Sequence, residues 1–89
     1  MRRFGEIVRS ERQAQGLTLE TLAKRTYTHK GYISGIENGK VSPPSVGLVK
    51  RLAWVLKLKA FPLILTAATE KLPREVRRFV QDAVQAKLG

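Results

Sequence analysis

Apolar side chains recur three and four residues apart along most of the chain, and the recurrence is broken at glycines and prolines. That period is helical. Phe4, Ile7 and Val8 make the first stripe and predict a helix from Arg2 to Gln15, closed by Gly16. Thr18 then stands as an N-cap, with Leu17 and Leu22 at the staple positions and Leu19, Leu22 and Ala23 on one face. A second short helix, capped by Thr28 or His29, turns His29, Ile33 and Ile36 inward and stops at Asn38-Gly39. Two helices of under three turns cannot stand alone, so this pair must lean on the remainder of the chain.

Pro43 and Pro44 forbid helix on the residues before them and impose an extended connection. Ser42 or Ser45 is the candidate cap for the next helix. From Ser45 to Leu58 the core spacing falls on Val46, Val49, Leu52, Ala53 and Leu56, with Trp54 to one side, where core packing and an interface role both remain open. Phe61 to Thr69 predicts a short apolar helix with Pro62 in its first turn. Leu63, Ile64 and Leu65 cannot all face one core, so part of this segment covers a neighbour. Pro73 opens a last helix to about Leu88, whose stripe is Val76, Phe79, Val80, Ala83, Val84 and Leu88. That stripe folds back on the domain or pairs with a second copy. The pattern as a whole predicts an all-α, compact domain of five to six helices.

The outward face of the second short helix is small, polar and basic: Lys30, Gly31, Ser34, Gly35 and Asn38. Two interior glycines cost a helix roughly 2 kcal/mol relative to alanine, so they mark either a close internal contact or a rigid body approaching from outside. Arg12 continues the inner stripe of the first helix one turn beyond Val8 and needs a partner there. Glu37 lies one turn beyond Ile33 and is the only acidic residue between Thr21 and Thr69. An Arg12–Glu37 ion pair is expected, architectural in role, because removing one partner of such a pair is costly.

Charge narrows the partner. The 17 Lys and Arg against 7 Asp and Glu leave a net +10, a balance suited to nucleic acid or an acidic membrane surface. Residues 1–59 carry +8 of it and residues 60–89 carry +2, so the charge travels with the paired short helices. The absence of cysteine leaves no disulfide framework and no thiolate zinc site. MRRFGEIVRSER begins basic but lacks the apolar stretch of a signal peptide and is expected to be mature structure. The longest apolar run, Ala60 to Ala68, is less than half a membrane span, so a soluble, cytoplasmic protein without membrane contact is expected. One histidine, no carboxylate cluster, no phosphate loop and no nucleophile–base pair predict a binder rather than an enzyme, with no cofactor and no metal.

Over about 55 residues, Phe4 to Leu58, the chain resembles the helix-turn-helix regulators of the phage-repressor and Cro type, also called the xenobiotic-response-element family. The resemblance is carried by FGEIVRSER, GLTLETLAK, GYISGIENGK with its I-S-x-I-E-x-G signature, the PP pair and LVKRLAWVLKL. The sequence departs from the family pattern at Leu19, where glutamine is frequent, and at Tyr27, where the turn usually has glycine. The base-reading positions map onto Lys30, Gly31 and Gly35, two of which have no side chain.

The resemblance implies a lambda-repressor-like DNA-binding domain in which one helix of the pair crosses the DNA backbone and the other, at about 29–37, enters the major groove. Groove or base contacts then fall on Lys30, Gly31, Ser34, Gly35 and Asn38, and phosphate contacts on Thr18, Lys24, Arg25 and Lys40. It also implies that Arg12 and Glu37 tie the first helix to the recognition helix. Residues 1–59 would be the DNA-binding core, with 60–89 completing it and dimerising through Val76, Phe79, Val80 and Ala83. The implied function is a sequence-specific regulator of transcription, a repressor, binding double-stranded DNA as a homodimer. Two alternatives stay open: a protein-interaction regulator or antitoxin component with a protein partner, and a non-specific architectural DNA binder.

Overall fold

The computed structural model describes residues 3–88, and these form six helices with no strand among them. They are α1 (Phe4–Ala14), α2 (Leu19–Arg25), α3 (Lys30–Glu37), α4 (Val46–Leu56), α5 (Ala60–Glu70) and α6 (Arg74–Leu88). One core holds the first five: Phe4 and Val8 from α1, Leu22 and Ala23 from α2, Ile33 and Ile36 from α3, Leu48, Val49, Leu52, Ala53 and Leu56 from α4, and Leu63 and Ala67 from α5. α1 packs on α3, α4 and α5, α2 packs on α3 and α4, and α6 lies against α5.

Each of the first four helices ends at a residue in the left-handed conformation, two of them at glycine. Gly16 (φ +69°) follows α1, where Leu17 N–H donates to Arg12 O at 3.0 Å and Gly16 N–H to Gln13 O at 3.0 Å. Gly39 (φ +70°) does the same after α3, with Lys40 N–H on Gly35 O at 2.9 Å. These crossed bonds satisfy the orphan carbonyls of the last turn. After α2 the left-handed position is Tyr27 (φ 60°), with Thr28 N–H on Ala23 O at 2.9 Å. After α4 it is Lys57 (φ 58°). Both side chains bear a Cβ clash that glycine avoids.

Several sequence expectations change in three dimensions. α1 begins at Phe4, because Arg3 is extended and offers no side-chain cap. The Phe4 N–H instead donates to the Glu70 carboxylate at the far end of α5. Val46, the first residue of α4, is exposed rather than core, and Leu48 joins Val49, Leu52, Ala53 and Leu56 on the buried face. Trp54 is 85 % exposed and contributes nothing to the core. His29 is exposed and caps α3, its Nδ1 accepting from Tyr32 N–H at 3.3 Å, because an N-cap stands outside the helical wheel that would have turned it inward. The side chains of Val84 and Leu88, and residue Arg2, lie outside the described residues.

Candidate nucleic-acid interface

The outer face of α3 is held out by a clamp on its inner face. Arg12 Nε donates to Glu37 Oε2 at 2.7 Å and a terminal guanidinium nitrogen donates to Glu37 Oε1 at 3.0 Å, a two-pronged pair. The third prong goes to Leu17 O at 2.9 Å, so one guanidinium joins α1, the α1–α2 turn and the end of α3. The Glu37 side chain is only 4 % exposed and that of Arg12 12 %, a pairing that excludes most of the solvent. The hydrogen bond to Glu37 raises the Arg12 pKa, desolvation opposes it, and the charge of Glu37 adds to the rise. Arg12 therefore stays charged at any accessible pH.

A second device fixes the same end of α3. Gly5 is buried where α1 crosses it, and a Cβ there would meet Ile36 O at 2.2 Å and Glu37 O at 2.9 Å. Only glycine permits that approach of helix to helix backbone. The sequence pattern does not single out Gly5; its one local signal is a glycine inside the first turn of an amphipathic helix, which costs propensity and so implies a packing reason.

With its inner side clamped, α3 presents Lys30 and Gly31 to solvent, Ser34 and Gly35 half-buried, and Asn38 exposed at its end. The two glycines are not equivalent. Beside Gly31 a Cβ would meet nothing nearer than the His29 ring at 3.6 Å, whereas at Gly35 it would press on Val41 Cγ1 at 3.3 Å. Gly35 thus accommodates the α3–α4 loop, and Gly31 leaves the outward backbone bare. Asn38 Nδ2 donates to Ser34 O at 3.0 Å and to Ser34 Oγ at 3.3 Å, which preorganises the two side chains as one polar unit.

The candidate phosphate contacts divide into separate places. Thr18 is exposed at the start of α2, where its Oγ1 accepts from Thr21 N–H at 3.0 Å. Lys24 is exposed on the last turn of α2. Lys40 stands in the α3–α4 loop and shares a polar cleft with Arg3, Glu70 and Arg77. Arg3 and Arg77 were not singled out by pattern, because their proximity to Lys40 depends on α1, α5 and α6 meeting there. Arg25 lies apart from that cleft, in a hollow with Tyr27, Lys50, Arg51 and Trp54. The expected dimer residues share one helix: Phe79 is 75 % exposed, Val76 and Ala83 are exposed and Val80 is half-buried. Among the described residues no group of His, Cys, Asp or Glu is placed to hold a metal ion, and no helix is long and apolar enough to cross a membrane.

The arrangement of α2 and α3 over this frame matches a known family at the level of sequence, since the profile described as Helix-turn-helix covers residues 8–61. The chain belongs to the helix-turn-helix family. Its architecture is the lambda-repressor-like, all-α form of that family, of the Cro and C1 type. Among its relatives, the uncharacterized HTH-type transcriptional regulator RghRB of Bacillus subtilis (strain 168) is 37% identical over 75 residues. That match takes in 83% of this chain and 54% of RghRB, so the chain spans about half the length of this curated relative.

Solved helix-turn-helix structures resemble it as well. SinR, a master regulator for biofilm formation, in complex with DNA, is 26% identical with a TM-score of 0.63, over 68% of this chain and 97% of that one. A complex of SinR with SinI gives 27% identity and a TM-score of 0.63 over 97% of this chain and 82% of the other. The restriction-modification controller protein C.AhdI from Aeromonas hydrophila is 33% identical, with a TM-score of 0.61 over 67% of this chain and 86% of its own.

Proposed function

We propose that this chain is a sequence-specific, double-stranded-DNA-binding regulator of transcription, a repressor, which seats α3 in the major groove while α2 crosses the phosphate backbone. The observation that carries the reading is the outer face of α3: Lys30, Gly31, Ser34 and Asn38 are exposed or half-exposed on a helix whose inner face is locked by Arg12, Glu37 and Gly5. Membership of the family and the likeness to SinR bound to DNA support the same docking. Lys30 reaches a guanine edge, Ser34 and Asn38 contact bases or phosphates, and the bare backbone at Gly31 lets the helix lie deep. Gly35 acts through Val41, setting how near the loop comes to the groove. Thr18, Lys24, Arg25 and Lys40 neutralise phosphates, with Arg3 beside Lys40 as an addition.

On this reading residues 1–59 supply the DNA-binding core, and residues 60–89 complete it and join two copies through Val76, Phe79, Val80 and Ala83. A homodimer suits a two-fold DNA site. The protein works without a catalytic step, cofactor or metal, in the cytoplasm. Selection of bound duplexes from a random pool by the full chain, at near-physiological salt, tests the proposal. An enriched inverted repeat with half-sites about one helical turn apart is the expected result. A pool that stays unenriched while binding falls steeply with salt would overturn it and leave non-specific architectural binding.

The exposure of Phe79 and Val76 also supports a second reading, in which α6 receives a different protein and the chain acts as a protein-interaction regulator or antitoxin component. The SinR–SinI complex, similar over 97% of this chain, is in keeping with it. Sedimentation of the chain alone separates the two: a dimer that Phe79→Ser dissociates supports self-association, and a monomer indifferent to that change favours a foreign partner.

A further inference from the structure

The most exposed aromatic side chains among the described residues are not on the DNA-reading helix. Trp54 on α4 is 85 % exposed and Tyr27 in the α2–α3 turn is 84 % exposed. They line one hollow together with Arg25, Lys50 and Arg51. Trp54 and Arg25 also line a second hollow, with Lys57 and the apolar residues Ala53, Val55 and Leu58. Four cations thus surround an indole and a phenol, and no carboxylate lines either hollow among the described residues. Arg51 Nε donates to Thr26 O at 3.1 Å, which fixes α4 to the turn that carries Tyr27 and makes the two hollows one rigid surface.

Exposed tryptophan, tyrosine and arginine in one patch have the composition of a protein-interface hot spot. A paired duplex offers phosphates to the cations but no unstacked base face to the indole, and stacking on aromatic side chains belongs to splayed single strands. A second copy of this chain, itself net +10, would bring like charge to a cationic surface. The complementary occupant is negative and apolar at once.

We propose that the Trp54–Tyr27 surface is a docking site for an acidic amphipathic segment of a partner protein, whose apolar side chains seat in the two hollows that Trp54 lines and whose carboxylates meet Arg25, Lys50, Arg51 and Lys57. The site lies apart from the outer face of α3 and from α6 and shares only Arg25 with the groups proposed above to neutralise phosphates, while Trp54, Lys50, Arg51 and Lys57 take no part in that DNA reading. It gives the chain a surface through which another protein can be recruited or can restrain it.

Trp54 is the only tryptophan, so its emission reports on this surface alone. The test titrates the full chain with a designed helical peptide of about 18 residues, five turns, carrying Leu and Phe on one face and Glu on the other. The expected result is a saturable blue shift of Trp54 emission, weakened about tenfold by Lys50→Glu, as truncation or reversal at a hot spot requires. A labelled peptide should bind Trp54→Ala about tenfold more weakly. Duplex affinity of Trp54→Ala should match that of the parent chain. No blue shift overturns the proposal, as does an equal shift from a peptide with Lys in place of Glu. A loss of duplex or single-strand affinity in Trp54→Ala would overturn it by assigning the patch to nucleic acid. Loss of self-association in that variant would overturn it by assigning the patch to a second copy.

Discussion

Gly5→Ala is the substitution with the largest consequence for its size. The new methyl would lie 2.2 Å from Ile36 O and 2.9 Å from Glu37 O, both backbone atoms, so no side chain can swing aside to admit it. A carbon–oxygen contact needs about 1 Å more than the shorter of these distances, and α1 has to move away from α3 by that amount. Phe4 and Val8, buried on either side, lose part of their packing, and the Arg12–Glu37 bonds of 2.7 and 3.0 Å lengthen. Overpacking of a filled core costs about 1–3 kcal/mol, and the rigid obstacle puts this site at the upper end. Alanine returns at most about 1 kcal/mol of helix propensity. The net loss is then about 2 kcal/mol, a melting temperature lower by roughly 8–16 °C for a domain of this size. Thermal unfolding by circular dichroism measures it, with Gly31→Ala as the control. There the space is open, so the same methyl should stabilise the fold by about 0.5–1 kcal/mol while lowering DNA affinity at the groove. A Gly5→Ala protein that melts with the parent would refute the reading that backbone contact fixes α3.

Tyr27→Gly should stabilise the chain by about 0.5–1 kcal/mol by relieving the left-handed backbone at φ 60°, and a melting temperature unchanged or lowered would contradict the strain argument. Glu37→Gln should lose about 3 kcal/mol, because Arg12 keeps its charge in a place only 12 % exposed; urea titration reads the loss, and a deficit under about 1 kcal/mol would mean that the pair is solvated in practice. Lys40→Ala should reduce the slope of log affinity against log salt by about 0.9 for the selected duplex, and an unaltered slope would take Lys40 off the phosphate backbone.

Local signals carried much of the fold. The Arg12–Glu37 pair was legible because each residue extends an apolar stripe by one turn, and the structure brings their charged groups to 2.7 Å. The outward set on α3 was legible for the same reason, its inner neighbours Ile33 and Ile36 being buried. Trp54 was not, since bulk and a position beside the stripe suit burial and display equally, and only the tertiary packing leaves it uncovered. The difference between Gly31 and Gly35 was equally hidden, because it depends on where the loop returns Val41.

The sequence by itself determined the succession of helices, several of their ends and most of their inward stripes: Thr18 before α2, Gly16 and Gly39 after α1 and α3, and apolar residues at three- and four-residue spacing. Each of these depends on groups within about one helical turn of one another, whose geometry the chain's own stereochemistry dictates. Tertiary structure alone decided that Glu70 caps a helix beginning 66 residues earlier, that Gly5 receives the α3 backbone, and that Lys40 shares a cleft with Arg3 and Arg77. Those contacts join residues far apart in the chain, and no local spacing encodes them. They arise when helices of fixed length pack about one core and their ends come to rest wherever that packing brings them.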